Sequence, residues 1–139
     1  MSNRDTADRK KMARDWVNLT LRGLAGVNTD CPEGDMGYFL VNSPIQNPDD
    51  AWPVILEVIR ICRSDFYSKG NSEIGDKVIS VLGAGPLEDV VVHHGDRFID
   101  RIIDSAKSDA LFLRALKSVW TDGVPDQVFS RISHVTGTY

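Results

Sequence analysis

The feature that most constrains this chain is the run Gly83-Ala84-Gly85-Pro86-Leu87-Glu88-Asp89, followed at once by Val90-Val91-Val92-His93-His94-Gly95-Asp96. Two glycines and a proline within four residues interrupt any regular element that reaches them, and glycine lets two backbones approach closely. The stretch therefore divides the helical pattern before it from the more regular pattern after it. Pro86 fits the first position of a new helix, with Glu88 and Asp89 in its first turn and Gly95 at its end. Three consecutive valines suit a strand equally well by shape, and the two acids favour helix.

On either side, apolar residues recur at helical spacing. Residues 5 to 25 place Met12, Trp16, Leu19 and Leu24 on one face, with Val17 and Leu21 beside them, and Arg9, Lys10, Arg14 and Asp15 on the other. Residues 27–47, with Gly34, Gly37, Pro32 and Pro44, read mostly as loop, with a short strand or helical turn at Tyr38 to Val41. Asn47-Pro48-Asp49-Asp50 opens a helix running to about Arg63, and Pro53 requires that its cap is Asp50 or that it is kinked. Its apolar face is Ala51, Trp52, Ile55, Val58, Ile59 and Cys62. A further helix spans Ser72 to Leu82.

Asp96 to Lys107 places Phe98, Ile99, Ile102, Ile103 and Ala106 together. Ser108 is positioned to cap a helix continuing through Leu111, Phe112, Ala115, Leu116, Val119 and Trp120, and Pro125 starts a last helix with Val128, Phe129 and Ile132. The expected fold is all-α: one domain, residues 1–139, of about six short antiparallel helices resembling stacked helical-repeat pairs, without a repeated sequence. The expected core contains Trp16, Trp52, Ile55, Ile79, Leu87, Ile99, Ile102, Leu116 and Trp120.

The residues Asp49-Asp50-Ala51-Trp52-Pro53-Val54-Ile55, Gly83 to Asp89, His94-Gly95, Phe98-Ile99-Asp100-Arg101-Ile102 and Val119-Trp120 resemble the pattern of an uncharacterised family of small bacterial proteins, a domain of unknown function. The resemblance covers roughly residues 48–132, and Ala-Gly-Pro-Leu-Glu-Asp is its specific part. It implies a helix at Val90 and Val91, where relatives carry leucines, and implies no activity.

Composition narrows the function classes. With 16 Lys and Arg against 20 Asp and Glu, the formal charge is −4, which argues against a nucleic-acid binder and points instead to solubility or to a basic partner. No apolar run approaches the roughly 20 residues that cross a bilayer, and no secretory signal opens the chain, so a cytoplasmic protein with no membrane partner is expected. Cys31 and Cys62, without histidine or cysteine near either, read as reduced thiols.

Charge is also segregated. Residues 23–59 hold six acids (Asp30, Glu33, Asp35, Asp49, Asp50 and Glu57) and no Lys or Arg, whereas the first fourteen residues carry five basic and two acidic side chains. That acidic stretch is the expected binding surface for a basic protein, and the reading it supports is a protein-binding module such as an immunity protein or inhibitor of a basic toxin or nuclease. A solvated loop and two helix-start acids would give the same pattern.

An alternative is a metal-dependent or acid–base enzyme centred on Asp89 and His93, four apart on one helix face, with Asp96 as a third group. The same residues also serve as ordinary complements to helix ends, and no cofactor is expected. Gly83-Ala84-Gly85 is no phosphate loop, because no lysine follows, Pro86 removes a donor and two acids repel an anion. Asp96, Asp100 and Asp104, interleaved with Arg97 and Arg101, read as a compensated helix surface. A third option is a structural subunit or homodimer.

Overall fold

In the computed structural model, which describes residues 6–27 and 36–137, most of the helical periodicity becomes helix, and no strand forms among the described residues. In chain order the elements are α1 (Thr6–Leu24), α2 (Phe39–Gln46), α3 (Pro48–Asp65), a 3₁₀ turn (Tyr67–Lys69), α4 (Ser72–Leu82), a π turn (Gly83–Leu87), α5 (Glu88–Ser108), α6 (Ala110–Leu116) and α7 (Asp126–Thr136). They gather into two compact units, Met1–Val78 and Ile79–Tyr139.

In the first unit α3 packs against both α1 and α2. Its buried stripe, which includes Trp52, Ile55, Val58, Ile59 and Cys62, meets Met12, Ala13, Trp16 and Val17 of α1. Burying each large apolar side chain contributes about 1.5–3 kcal/mol, and such packing of an amphipathic face, rather than propensity, supplies most of a helix's stability in a protein. Outside this core, Arg14 of α1 pairs with Asp65 at the end of α3. Asp15 accepts from Lys11 and, at 3.0 Å, from the backbone N–H of Met36.

Residues 39–46 form helix rather than loop, despite Pro44 inside them. Tertiary burial accounts for this: Leu40, Ser43 and Pro44 are all buried, and α2 packs on α3. Asn47 then ends α2 and begins α3, its backbone taking a non-helical conformation and its carbonyl accepting from the N–H groups of Asp50 and Ala51, both at 3.1 Å. Asp50 is therefore no cap. It accepts a 2.7 Å hydrogen bond from the Asn47 side-chain amide, and α3 runs on through Pro53 as one helix.

In the second unit α5 packs against α6 and α7. The expected helices at 86–95 and 96–107 are one element, kinked where His94 leaves helical geometry (φ −137°, ψ 18°). The run from Gly83 to Leu87 forms a π turn, in which the N–H of Glu88 reaches back five residues to the carbonyl of Gly83. Ser108 donates back to the carbonyl of Asp104 and caps nothing; Asp109 caps α6, its carboxylate accepting from the N–H of Leu111 at 2.9 Å.

Two expected core residues lie elsewhere. Ile99 is half-buried, and Trp120 is 70 % exposed, because α6 ends at Leu116 and the chain tightens through bonds from Ser118 to Ala115 and from Val119 to Leu116. Ile102 and Leu116 are buried as expected, together with Phe98, Phe112, Ala115, Val128 and Ile132.

Candidate functional site

The functional reading turns on how Trp120 comes to be exposed. Val119 and Val124 are both buried, at 9 % and 8 % exposure, and so anchor the two ends of the loop between α6 and α7. Between them the N–H of Val124 bonds to the carbonyl of Thr121 at 3.2 Å, closing a tight turn, with Gly123 at φ +83°, a conformation natural to glycine. The backbone N–H of Trp120 donates a 2.7 Å hydrogen bond to the carboxylate of Glu88, from the opening turn of α5. The main chain at Trp120 is thus fixed on three sides while its indole stands in solvent.

Glu88 belongs to the Gly83–Asp89 run, and so does the other contact that places this loop. A Cβ on Gly83 would lie 2.0 Å from the carbonyl oxygen of Ala115, near the end of α6, so the π turn and α6 meet backbone to backbone. The run's glycine meets the end of α6, and its acid holds the main chain at Trp120. Sequence spacing suggested instead that Glu88 complements the end of its own helix.

Around Trp120 lies an open groove of about 550 Å³, lined by Trp120, Thr121, Asp122, Val124, Asp126 and Phe129 among others. Phe129, on the first turns of α7, is 41 % exposed. Two aromatic residues and two aspartates thus line one shallow, open depression. Helical spacing placed Trp120 in the interior and Phe129 among the apolar positions of the last helix; the signal against the placing of Trp120 was Thr121-Asp122-Gly123-Val124-Pro125, whose turn-forming residues end the periodic pattern directly after it.

The acidic residues expected to bind a partner are placed unevenly. Asp30, Glu33 and Asp35 lie outside the described residues. Asp49 is exposed at the start of α3, and Asp50 is half-buried and engaged by Asn47. Glu57 is half-buried and accepts from the Nε of Arg60 at 2.8 Å, so its charge is locally compensated.

Asp89 and His93 do lie on one face as neighbours. Burial, with the charge of Glu88, pushes the Asp89 carboxyl above its ordinary range, while His93 acts in the opposite sense. Asp96 does not join them: it lies beyond the kink at His94, is exposed, and accepts from the N–H of Arg97. Among the described residues no three His, Cys, Asp or Glu side chains are grouped to hold a metal ion. The Asp/Arg face of α5 is more structured than spacing implied, for Arg97 and Arg101 lie 4.7 and 4.8 Å from the ring centre of buried Phe98, and Asp100 pairs with Arg131 of α7 at 2.7 Å. Cys62 is a free, buried thiol whose pKa burial raises to about 12; Cys31 lies outside the described residues. No helix among the described residues is long and apolar enough to cross a membrane.

Comparison with known proteins gives one match. Residues 38–139 fit the model of a family described as "Family of unknown function (DUF6869)", and that span takes in α2 to α7 and the groove. No curated protein matches, and no solved structure matches.

Proposed function

We propose that this chain, which belongs to that family of unknown function, is a protein-binding module whose partner presents a basic surface. One observation carries the reading: Trp120 stands 70 % exposed on a fixed main chain, in a groove shared with Phe129, Asp122 and Asp126. A large aromatic held out in water gains most when another protein covers it, and Trp is among the residues that most often dominate interface energetics. Carboxylates beside it, with a formal charge of −4, favour a cationic partner.

The acids of α3 serve this reading as a second, weaker feature. Asp49 and Asp50 add long-range attraction as part of the acidic stretch, and the side chains of Asp50 and Glu57 also make hydrogen bonds within the unit. The narrower form of the proposal is an immunity protein or inhibitor of a basic toxin or nuclease in the cytoplasm of a bacterial cell, and what supports it is small size and acidic charge. The acid–base alternative has the Asp89–His93 neighbours in its favour and lacks Asp96 as a third group.

The test is affinity capture from the protein's own cells at low and moderate salt, comparing wild type with Trp120→Ala and with a double Asp49→Lys, Asp50→Lys variant. The proposal expects a basic protein, retained by wild type at low salt and lost with Trp120→Ala, while the α3 variant changes mainly the salt dependence. Equal retention by wild type and Trp120→Ala overturns it.

A further inference from the structure

We propose that the Trp120 groove is an arginine-binding site, taking one guanidinium side chain from the partner's surface against the indole face. This deepens the protein-binding reading and rests on it. The groove offers the two things a guanidinium uses: a flat aromatic face for stacking, and carboxylates for its N–H groups. Trp120 supplies the first, because its backbone is tied to Glu88 and flanked by buried Val119 and Val124, which leaves the indole in solvent. Phe129 supplies a second aromatic surface, across which the aliphatic part of the incoming side chain can lie.

The two carboxylates have unequal roles. Asp126 is in the first turn of α7, where it already balances the positive end of that helix. Asp122 sits on the Thr121–Val124 turn, with no helix end to serve, and is the principal counter-charge. Lysine is the poorer fit: its ammonium is attracted to an indole face too, but it is compact and strongly hydrated and has no planar fork to lie flat on the ring while pairing with a carboxylate. The Thr121–Val124 turn, with Gly123 at φ +83°, keeps Asp122 and Trp120 on one short loop.

The test titrates the full chain with the peptide Ac-Gly-Gly-Arg-Gly-Gly-NH₂, and with versions carrying lysine or neutral citrulline in place of arginine, following nitrogen–proton NMR spectra at low salt. The expected result is a saturable shift of the Trp120 indole N–H and of amides in 119–129, at least about 3-fold weaker with lysine and absent with citrulline. Asp122→Asn weakens the arginine peptide about 3- to 10-fold with the rest of the spectrum unchanged, and Trp120→Ala abolishes the response. No saturable shift in 119–129, or an equal response to citrulline, overturns the proposal. Capture of a partner that depends on Trp120 but that the arginine peptide does not displace overturns the arginine site and leaves the binding module standing. Capture that ignores Trp120 removes both.

Discussion

A side-chain carbon on Gly83 would stand 2.0 Å from the carbonyl oxygen of Ala115, so the backbones of the π turn and of α6 meet at a separation only glycine permits. The atom in the way is main chain and cannot rotate aside. Gly83→Ala is therefore expected to cost about 1–3 kcal/mol, at the upper end of that range. Gly85, two residues on, meets nothing beyond its own chain neighbours within 4 Å of its would-be Cβ, but it precedes Pro86, whose ring disfavours helical backbone at a residue that carries a Cβ, so Gly85→Ala is expected to cost less than Gly83→Ala without stabilising the chain. Urea unfolding of the pair checks this directly, since only Gly83 faces the main chain of another element and should respond more strongly.

Glu88 ties the opening of α5 to the loop that carries Trp120. Glu88→Ala removes the acceptor and is expected to cost about 1 kcal/mol, the contact being exposed, and to speed hydrogen exchange at the Trp120 amide several-fold. Glu88→Gln keeps an acceptor oxygen and should recover most of that protection. If alanine and glutamine exchange at the wild-type rate, the carboxylate does not hold the loop.

The two units respond to acid in opposite senses at two aspartates. The hydrogen bond from Arg14 holds the Asp65 carboxyl below its usual value of 3.8, so its contribution is present above that pH and disappears as pH falls through the lower folded value. Asp65→Asn should thus be less stable than wild type at pH 7 and equal to it in stronger acid. Asp89 is raised, mainly by burial, so its contribution is full below 3.8 and is lost as pH rises through the higher folded value. Asp89→Asn should gain stability relative to wild type between pH 3.5 and 7. Denaturation midpoints across that range check both signs.

Cys62, buried and with its thiol pushed up to about 12, holds almost no thiolate at neutral pH. In a Cys31→Ser variant it should resist thiol reagents at pH 8 while the chain is folded and react within the dead time in denaturant. Rapid labelling of the native protein would show that the α1–α3 core opens readily.

Helix spans were legible because burial and periodicity agree: Ile55, Val58 and Cys62 on α3, and Phe98 and Ile102 on α5, are buried where their spacing puts them. What spacing could not show is where a helix stops. Val119 and Trp120 continue the step from Leu116, yet the turn at Thr121–Val124 and a carboxylate 32 residues away decide that the indole faces water. Residues 39–46 were illegible for the converse reason, since Pro44 reads as a breaker while packing against α3 stabilises the helix across it. The importance of Gly83 to Asp89 was visible in the sequence; its use, placing the Trp120 loop, depends on Ala115 and Trp120, far along the chain.

The most direct test of the binding surface is hydrogen exchange of the chain alone against the chain bound to its captured partner. The account predicts slowed exchange within residues 119–129, centred on Trp120, with α3 changed less. Protection confined to α3, with residues 119–129 exchanging as in the free chain, would contradict it.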